Sequence, residues 1–238
     1  MGGVAAHAGA DGFEVRRELF ATDGCAHLDA LARLGDRIRA AGLWAVYSTP
    51  ATLFADDGAL DRTALSLAID EAAVLQARIV KLQLGGTESG VATDAATLDW
   101  LMSAASNTRA RLVVENGQLR AGGTVRAFET LFGALPSQSG IAMTFDTGNW
   151  RWTGEDPLDA ARRLEPYVGY VHCKSVMGEG ARQFAAAPAD GDTRFATLLA
   201  RLPGDVDVPR GNEHPFIADS TGAFDADAQR QIARIAAF

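Results

Sequence analysis

Four ionisable side chains stand at or near the ends of four successive short apolar runs: Glu115 in Val113-Val114-Glu115-Asn116, Asp146 in Thr144-Phe145-Asp146-Thr147, His172 in Tyr170-Val171-His172-Cys173, and Glu213 in Asn212-Glu213-His214-Pro215. Three carboxylates and one imidazole make a mixed hard and borderline donor set, suited to one divalent ion such as Mn²⁺, Mg²⁺, Co²⁺ or Zn²⁺. Taken singly, each residue has an ordinary explanation as a helix cap, a surface ion-pair partner or a satisfied core histidine. Their recurrence on consecutive runs is what argues for a shared site. Glu213 is the weakest member, because Pro209, Gly211 and Pro215 interrupt the run that carries it.

Such a site suits proton transfer at a carbon next to a carbonyl, which needs a base within hydrogen-bond reach and an electrophile for the developing enediolate charge. Glu115 and Glu213, on opposite sides of the site, would then serve the two faces of the substrate, giving epimerisation or ketose isomerisation. Arg16, Lys81 and Lys174 would ring the site with positive charge and bind substrate, or else neutralise the carboxylates, as Arg16 would for Glu14. Asn116 and Asn149 are candidates for hydroxyl contacts or loop caps. Trp150, with Trp152, would floor or cover a sugar pocket, or simply pack.

The elements that position these groups alternate strand and helix to the end of the chain, the signature of parallel βα units. Strands are expected over Gly12–Arg17, Leu43–Ser48, Arg78–Leu84, Arg111–Asn116, Ile141–Thr147, Gly169–Lys174 and, more weakly, Val208–His214. Helices are expected over Val4–Ala8, His27–Ala41, Asp61–Ala77, Thr93–Ser106, Thr124–Leu135, Pro157–Leu164, Thr193–Leu202 and Asp225–Ala237, several opened by Asp, Thr or Pro. A closed barrel and an open doubly wound sheet both fit this order. Side chains alternate across a strand, so Lys81 and Gln83 share a face, as do Glu14 and Arg16, Val113 and Glu115, Thr144 and Asp146, and Tyr170, His172 and Lys174. Charges recurring near several strand ends are costly unless they converge, and a barrel mouth is where they would. The expectation is an α/β TIM (β/α)8-type barrel, as one domain over residues 1–238.

Composition narrows the function classes. With 47% hydrophobic and 22% charged residues the 238-residue chain is of ordinary globular type. A net charge of −8 and the absence of a basic run argue against nucleic acid or an anionic membrane surface as partner. No signal peptide or membrane span is read, so a cytoplasmic protein is expected. Cys25 and Cys173 read as reduced, buried thiols, and His7 and His27 as surface residues. Gly85-Gly86-Thr87-Glu88-Ser89-Gly90 matches a phosphate loop only in composition, lacking its Lys-Ser/Thr ending.

The segments Phe13-Glu14-Val15-Arg16-Arg17-Glu18-Leu19-Phe20, Thr144-Phe145-Asp146-Thr147-Gly148-Asn149-Trp150-Arg151-Trp152 and Tyr167-Val168-Gly169-Tyr170-Val171-His172-Cys173-Lys174 resemble the sugar phosphate isomerase/epimerase superfamily, the xylose isomerase-like barrels. Within it they are similar to epimerases encoded beside 2-ketogluconate utilisation enzymes. The resemblance implies an eight-stranded barrel whose metal is held at Glu115, Asp146, His172 and Glu213, with the two glutamates as the acid/base pair. It also implies a small sugar or sugar acid as substrate and a homo-oligomer. Two departures stand out: many such epimerases carry a histidine where this chain has Asn149, and the family's barrel opens with a strand ahead of Glu14 that is expected to be lacking here. A metal-dependent dehydratase working through the same enediolate, and a catalytically inactive barrel, are the alternatives. An abasic-site endonuclease would need a multi-metal cluster and a basic groove, which four histidines and a net charge of −8 do not supply.

Overall fold

The computed structural model describes residues 2–19, 28–88, 90–204, 207–216 and 221–237. Seven parallel strands form one sheet in simple sequence order: β1 (Gly12–Arg16), β2 (Trp44–Phe54), β3 (Ile79–Gly85), β4 (Arg111–Glu115), β5 (Ile141–Asp146), β6 (Val168–Cys173) and, last, β9 (Arg210–Asn212). Two further strands, β7 (Ser175–Met177) and β8 (Phe184–Ala186), pair antiparallel as a small hairpin following β6. The sheet curls into a nearly closed barrel of the TIM type; among the described residues no ladder joins β1 to β9.

The helices are α1 (Gly2–His7), α2 (Leu28–Ala40), α3 (Arg62–Leu75), α4 (Ala95–Ser106), α5 (Arg120–Gly123), α6 (Val125–Ala134), α7 (Trp150–Thr153), α8 (Pro157–Leu164), α9 (Thr193–Arg201) and α10 (Thr221–Ala236). Five of them begin on a side chain that accepts a hydrogen bond from an otherwise unpaired first-turn amide: Asp61, Asp94, Thr124, Asp156 and Asp192. None is long and apolar enough to cross a membrane among the described residues.

Alternation divides the sheet into two surfaces with different work. Outward residues such as Val80, Leu82, Leu112, Val114, Met143, Phe145 and Val171 pack with Leu31, Leu65, Leu101, Phe128 and Leu198 from the helices in one continuous core. Each such side chain contributes about 1.5–3 kcal/mol on burial, so this layer carries the stability. Inside, only the floor is apolar, formed by Val46, Ile79, Val113, Ala142 and Tyr170. Above it the interior is polar and charged.

The register is irregular twice. Between β2 and β3 the pairing jumps from Ser48↔Lys81 to Thr52↔Gln83, so β2 bulges around Pro50 and continues to Phe54, well past the Ser48 end expected from sequence. Between β5 and β6 it passes from Met143↔Val168 to Thr144↔Tyr170, leaving Gly169 as an extra residue in β6. A Cβ on Gly169 would lie 2.6 Å from Ala142 Cβ and 3.0 Å from Arg111 Cζ, so only glycine fits the bulge. Cys25 and His27 lie outside the described residues; Cys173 is a buried free thiol and His7 is exposed.

Candidate metal centre

The carboxyl ends of β4, β5 and β6, with the residue after β9, bring Glu115, Asp146, His172 and Glu213 together. One donor atom from each lies within 4.8 Å of the others. His172 Nδ1 is 2.6 Å from Glu115 Oε1, 3.3 Å from Glu213 Oε2 and 3.8 Å from Asp146 Oδ2. Glu115, Asp146 and His172 are buried, and Glu213 is partly open, with 25% of its side chain exposed. The backbone amide of Glu213 donates to Cys173 O at 3.1 Å, which extends the β6 pairing one residue beyond the short β9.

Each donor is braced from behind. Glu115 Oε2 accepts from Lys81 Nζ at 2.5 Å and from Gln83 Nε2, leaving Oε1 toward the centre. Asp146 Oδ1 accepts from the amides of Gly148 and Asn149, both at 2.9 Å, leaving Oδ2 toward the centre. Lys174 Nζ lies between Asp146 Oδ2 at 2.7 Å and Glu213 Oε2 at 2.6 Å. His172 Nε2 contacts Glu14 Oε2 at 2.8 Å. The inward atoms Glu115 Oε1, Asp146 Oδ2 and His172 Nδ1 are buried without a hydrogen-bond partner of proper geometry. Three converging donors of this chemistry, held by ion-pair contacts alone, fit a metal ion.

Charge counting agrees. Four carboxylates, Glu14, Glu115, Asp146 and Glu213, face two ammoniums, Lys81 and Lys174, an excess of two negative charges when His172 is neutral. A divalent ion balances that excess. Without one, protons must do so. Burial opposes an imidazolium at His172, yet Glu14, Glu213 and Glu115 outweigh it and raise its pKa well above the ordinary value. Burial raises Asp146 well above the usual carboxylate range in spite of Lys174. Burial would also raise Glu14, Glu115 and Glu213, but all three are held low: Glu14 at about 2 chiefly by His172, Glu115 by Lys81 and His172, and Glu213 by His172.

The other expected site residues fall differently. Lys81 and Lys174 are buried at the centre, Lys174 with Trp152 beneath its ammonium at 6.0 Å. Arg16 is exposed and pairs with Glu18 at 2.7 Å; it does not neutralise Glu14. Asn116 spends its amide on the Asp146 backbone, and Asn149 Nδ2 donates to Asn116 O at 2.7 Å, so both brace β4 against β5. Trp150 is fully buried between Phe128 and Phe145 in the helix layer, with no surface for a ligand. His214 is buried beside Phe216, away from the donor set. The residue that sequence reasoning missed is Glu14; its sequence signal was its place on the inward face of β1.

The fold has close counterparts among solved structures. D-psicose 3-epimerase from Clostridium cellulolyticum H10 superposes with a TM-score of 0.63 at 11% identity, covering 98% of this chain and 90% of that one. D-allulose 3-epimerase from Methylomonas sp., solved with D-allulose, gives 0.64 at 16% identity, with 98% and 88% covered. The probable 3-DHS dehydratase of petrobactin synthesis from Bacillus anthracis gives 0.61 at 12% identity, with 96% and 90% covered. No curated protein matches by sequence. Nothing in these matches supports the narrower resemblance to the 2-ketogluconate-linked epimerases. The family described as the xylose isomerase-like TIM barrel matches residues 3–207, and the chain belongs to it.

Proposed function

We propose that the protein is a divalent-metal-dependent isomerase or epimerase of a small keto-sugar or sugar acid, with Glu115 and Glu213 as the proton-transferring pair. The observation that carries the reading is the placement of two glutamates on either side of one buried donor set, Glu115 on β4 and Glu213 beyond β9, with Asp146 and His172 between them. When bound, the ion would supply Lewis-acid stabilisation of the negative charge that develops on the substrate oxygens.

The remaining work belongs to the chain. Lys81 and Gln83 fix one oxygen of Glu115, so the whole carboxylate is held in one place beside the substrate. In each turnover one glutamate, as the carboxylate, takes the proton from carbon, and the other, entering the step as the carboxylic acid, gives a proton to the opposite face. Glu213 is the more open of the two and stands nearer solvent. Lys174, between Asp146 and Glu213, is placed to meet a substrate oxygen or acid group. The dehydratase among the fold relatives keeps elimination as a second reading: the same abstraction from carbon, followed by departure of a hydroxyl group as water.

The test is incubation of Mn²⁺- or Co²⁺-loaded protein in D₂O with keto-sugars and sugar acids, 2-ketogluconate included. One deuterium gained with the skeleton retained supports epimerisation or isomerisation, and loss of water supports the dehydratase. Neither exchange nor turnover across the panel would overturn both readings and favour an inactive barrel.

A further inference from the structure

We infer that Glu14 is the residue that orients His172 as a ligand, so that the first strand of the barrel controls a donor carried by the sixth. The inference rests on the metal-site reading above and adds to it a residue outside the donor set. Glu14 Oε2 accepts from Tyr170 Oη at 2.8 Å and faces His172 Nε2 at 2.8 Å. An oxygen already accepting from the tyrosine hydroxyl meets the ring nitrogen as an acceptor again, so Nε2 carries its hydrogen toward Glu14. The free lone pair of a neutral ring is then Nδ1, the atom aimed at Glu115, Asp146 and Glu213 and lacking a hydrogen-bond partner. Carboxylate, imidazole and donor set lie in series, an arrangement that fixes both the tautomer and the tilt of a ligating histidine.

Tyr170 steadies the carboxylate in turn. Its ring is part of the barrel floor and stacks edge-on to His172, with centroids 4.9 Å apart. A side chain at Gly211 on β9 would strike its hydroxyl. The tyrosine hydroxyl is thus closely approached by the β9 backbone, and Glu14 reaches it from a strand that, among the described residues, has no backbone pairing to β6 or β9.

The experiment compares wild type with Glu14→Gln and Glu14→Ala. It measures Co²⁺ affinity by competition with a chromophoric chelator, the visible Co²⁺ absorption bands, and the ¹⁵N shifts of the His172 ring in the Zn²⁺-loaded protein. Loss of the carboxylate in Glu14→Ala weakens affinity about 10- to 100-fold, and Glu14→Gln, whose amide oxygen can still accept, recovers part of it. Both variants alter the Co²⁺ bands, and Glu14→Ala shifts the Nε2 resonance; a fold defect alone would do neither. Unchanged affinity and ring shifts in both variants would overturn the role of Glu14 and leave the four-donor site standing. No Co²⁺ or Zn²⁺ bound by wild type would overturn the site itself, and this role with it.

Discussion

Asn116 and Asp146 exchange two hydrogen bonds between neighbouring strand ends: Asn116 Nδ2 donates to Asp146 O at 3.1 Å, and the amide of Asp146 donates to Asn116 Oδ1 at 2.8 Å. A side chain here stands in for the next rung of the β4–β5 ladder, which otherwise ends at Glu115↔Thr144. Replacing it by Asn116→Ala leaves a buried amide and a buried carbonyl unpaired. The expected loss is about 2 kcal/mol or more of stability, read from urea unfolding. Metal affinity should fall with it, because Asp146 loses the brace on its own backbone.

Glu115→Gln should remain folded by circular dichroism yet lose turnover by about a hundredfold or more, since an amide cannot take the proton. It also strips Lys81 of its buried counter-charge, so unfolding should come earlier by about 3 kcal/mol. Undiminished activity in this variant would remove Glu115 from the acid/base pair.

Metal uptake should release protons. In the metal-free chain, burial opposes charge on His172 but the Glu14, Glu213 and Glu115 carboxylates keep it protonated through neutral pH. An ion must displace that proton to reach Nδ1, so affinity rises with pH until the imidazolium is titrated away. His172→Ala should remove the histidine's share of the effect, leaving that of Asp146, together with most of the binding. A dye-based proton count and binding isotherms at several pH values check this, and a pH-independent affinity would contradict it.

Cys173 is sealed between strand and helix layers. Burial pushes its thiol up to about 12, with Arg210 only partly offsetting it. In a Cys25→Ser variant, which leaves Cys173 as the single thiol, thiol reagents should give no modification of folded protein at neutral pH and full modification in denaturant.

Much of this arrangement was legible in the sequence because strands of a barrel carry their function on alternate positions. Six strands were placed within about two residues at nearly every boundary, an accuracy ordinary for strong apolar runs. The seventh, β9, is shorter than its expected span, and Pro209 and Gly211 explain why. What was hidden depended on partners far away in the chain. Glu14 looked like the natural mate of Arg16 two residues on, while its actual partners lie 156 and 158 residues away. Asn116, Asn149 and Trp150 follow strand ends, where composition alone does not distinguish a ligand contact from a backbone brace or a core filler. The second strand was expected to end at Ser48, but a bulge carries it on to Phe54. The three-residue strands of the β7–β8 hairpin are too short to leave a periodic signal.

Gly169→Ala should cost about 1–3 kcal/mol through overpacking against Ala142. Metal binding should suffer beyond that loss, because the ring of His172 lies three residues further along the same strand. Thermal unfolding and Co²⁺ titration of the variant measure the two effects separately.

The bulge at Gly169 has a consequence of parity. Counted straight from Met143↔Val168, an unbroken ladder would set Asp146 level with Val171 and turn His172 out into the helix layer. Leaving Gly169 outside the ladder shifts the count of β6 by one and delivers the imidazole indoors. The frame of the donor set is therefore fixed the way a reading frame is, by a single unit of offset. Drawing that residue into the ladder would exchange the two surfaces of β6 from Tyr170 onward, with every side chain still present and none on its proper side.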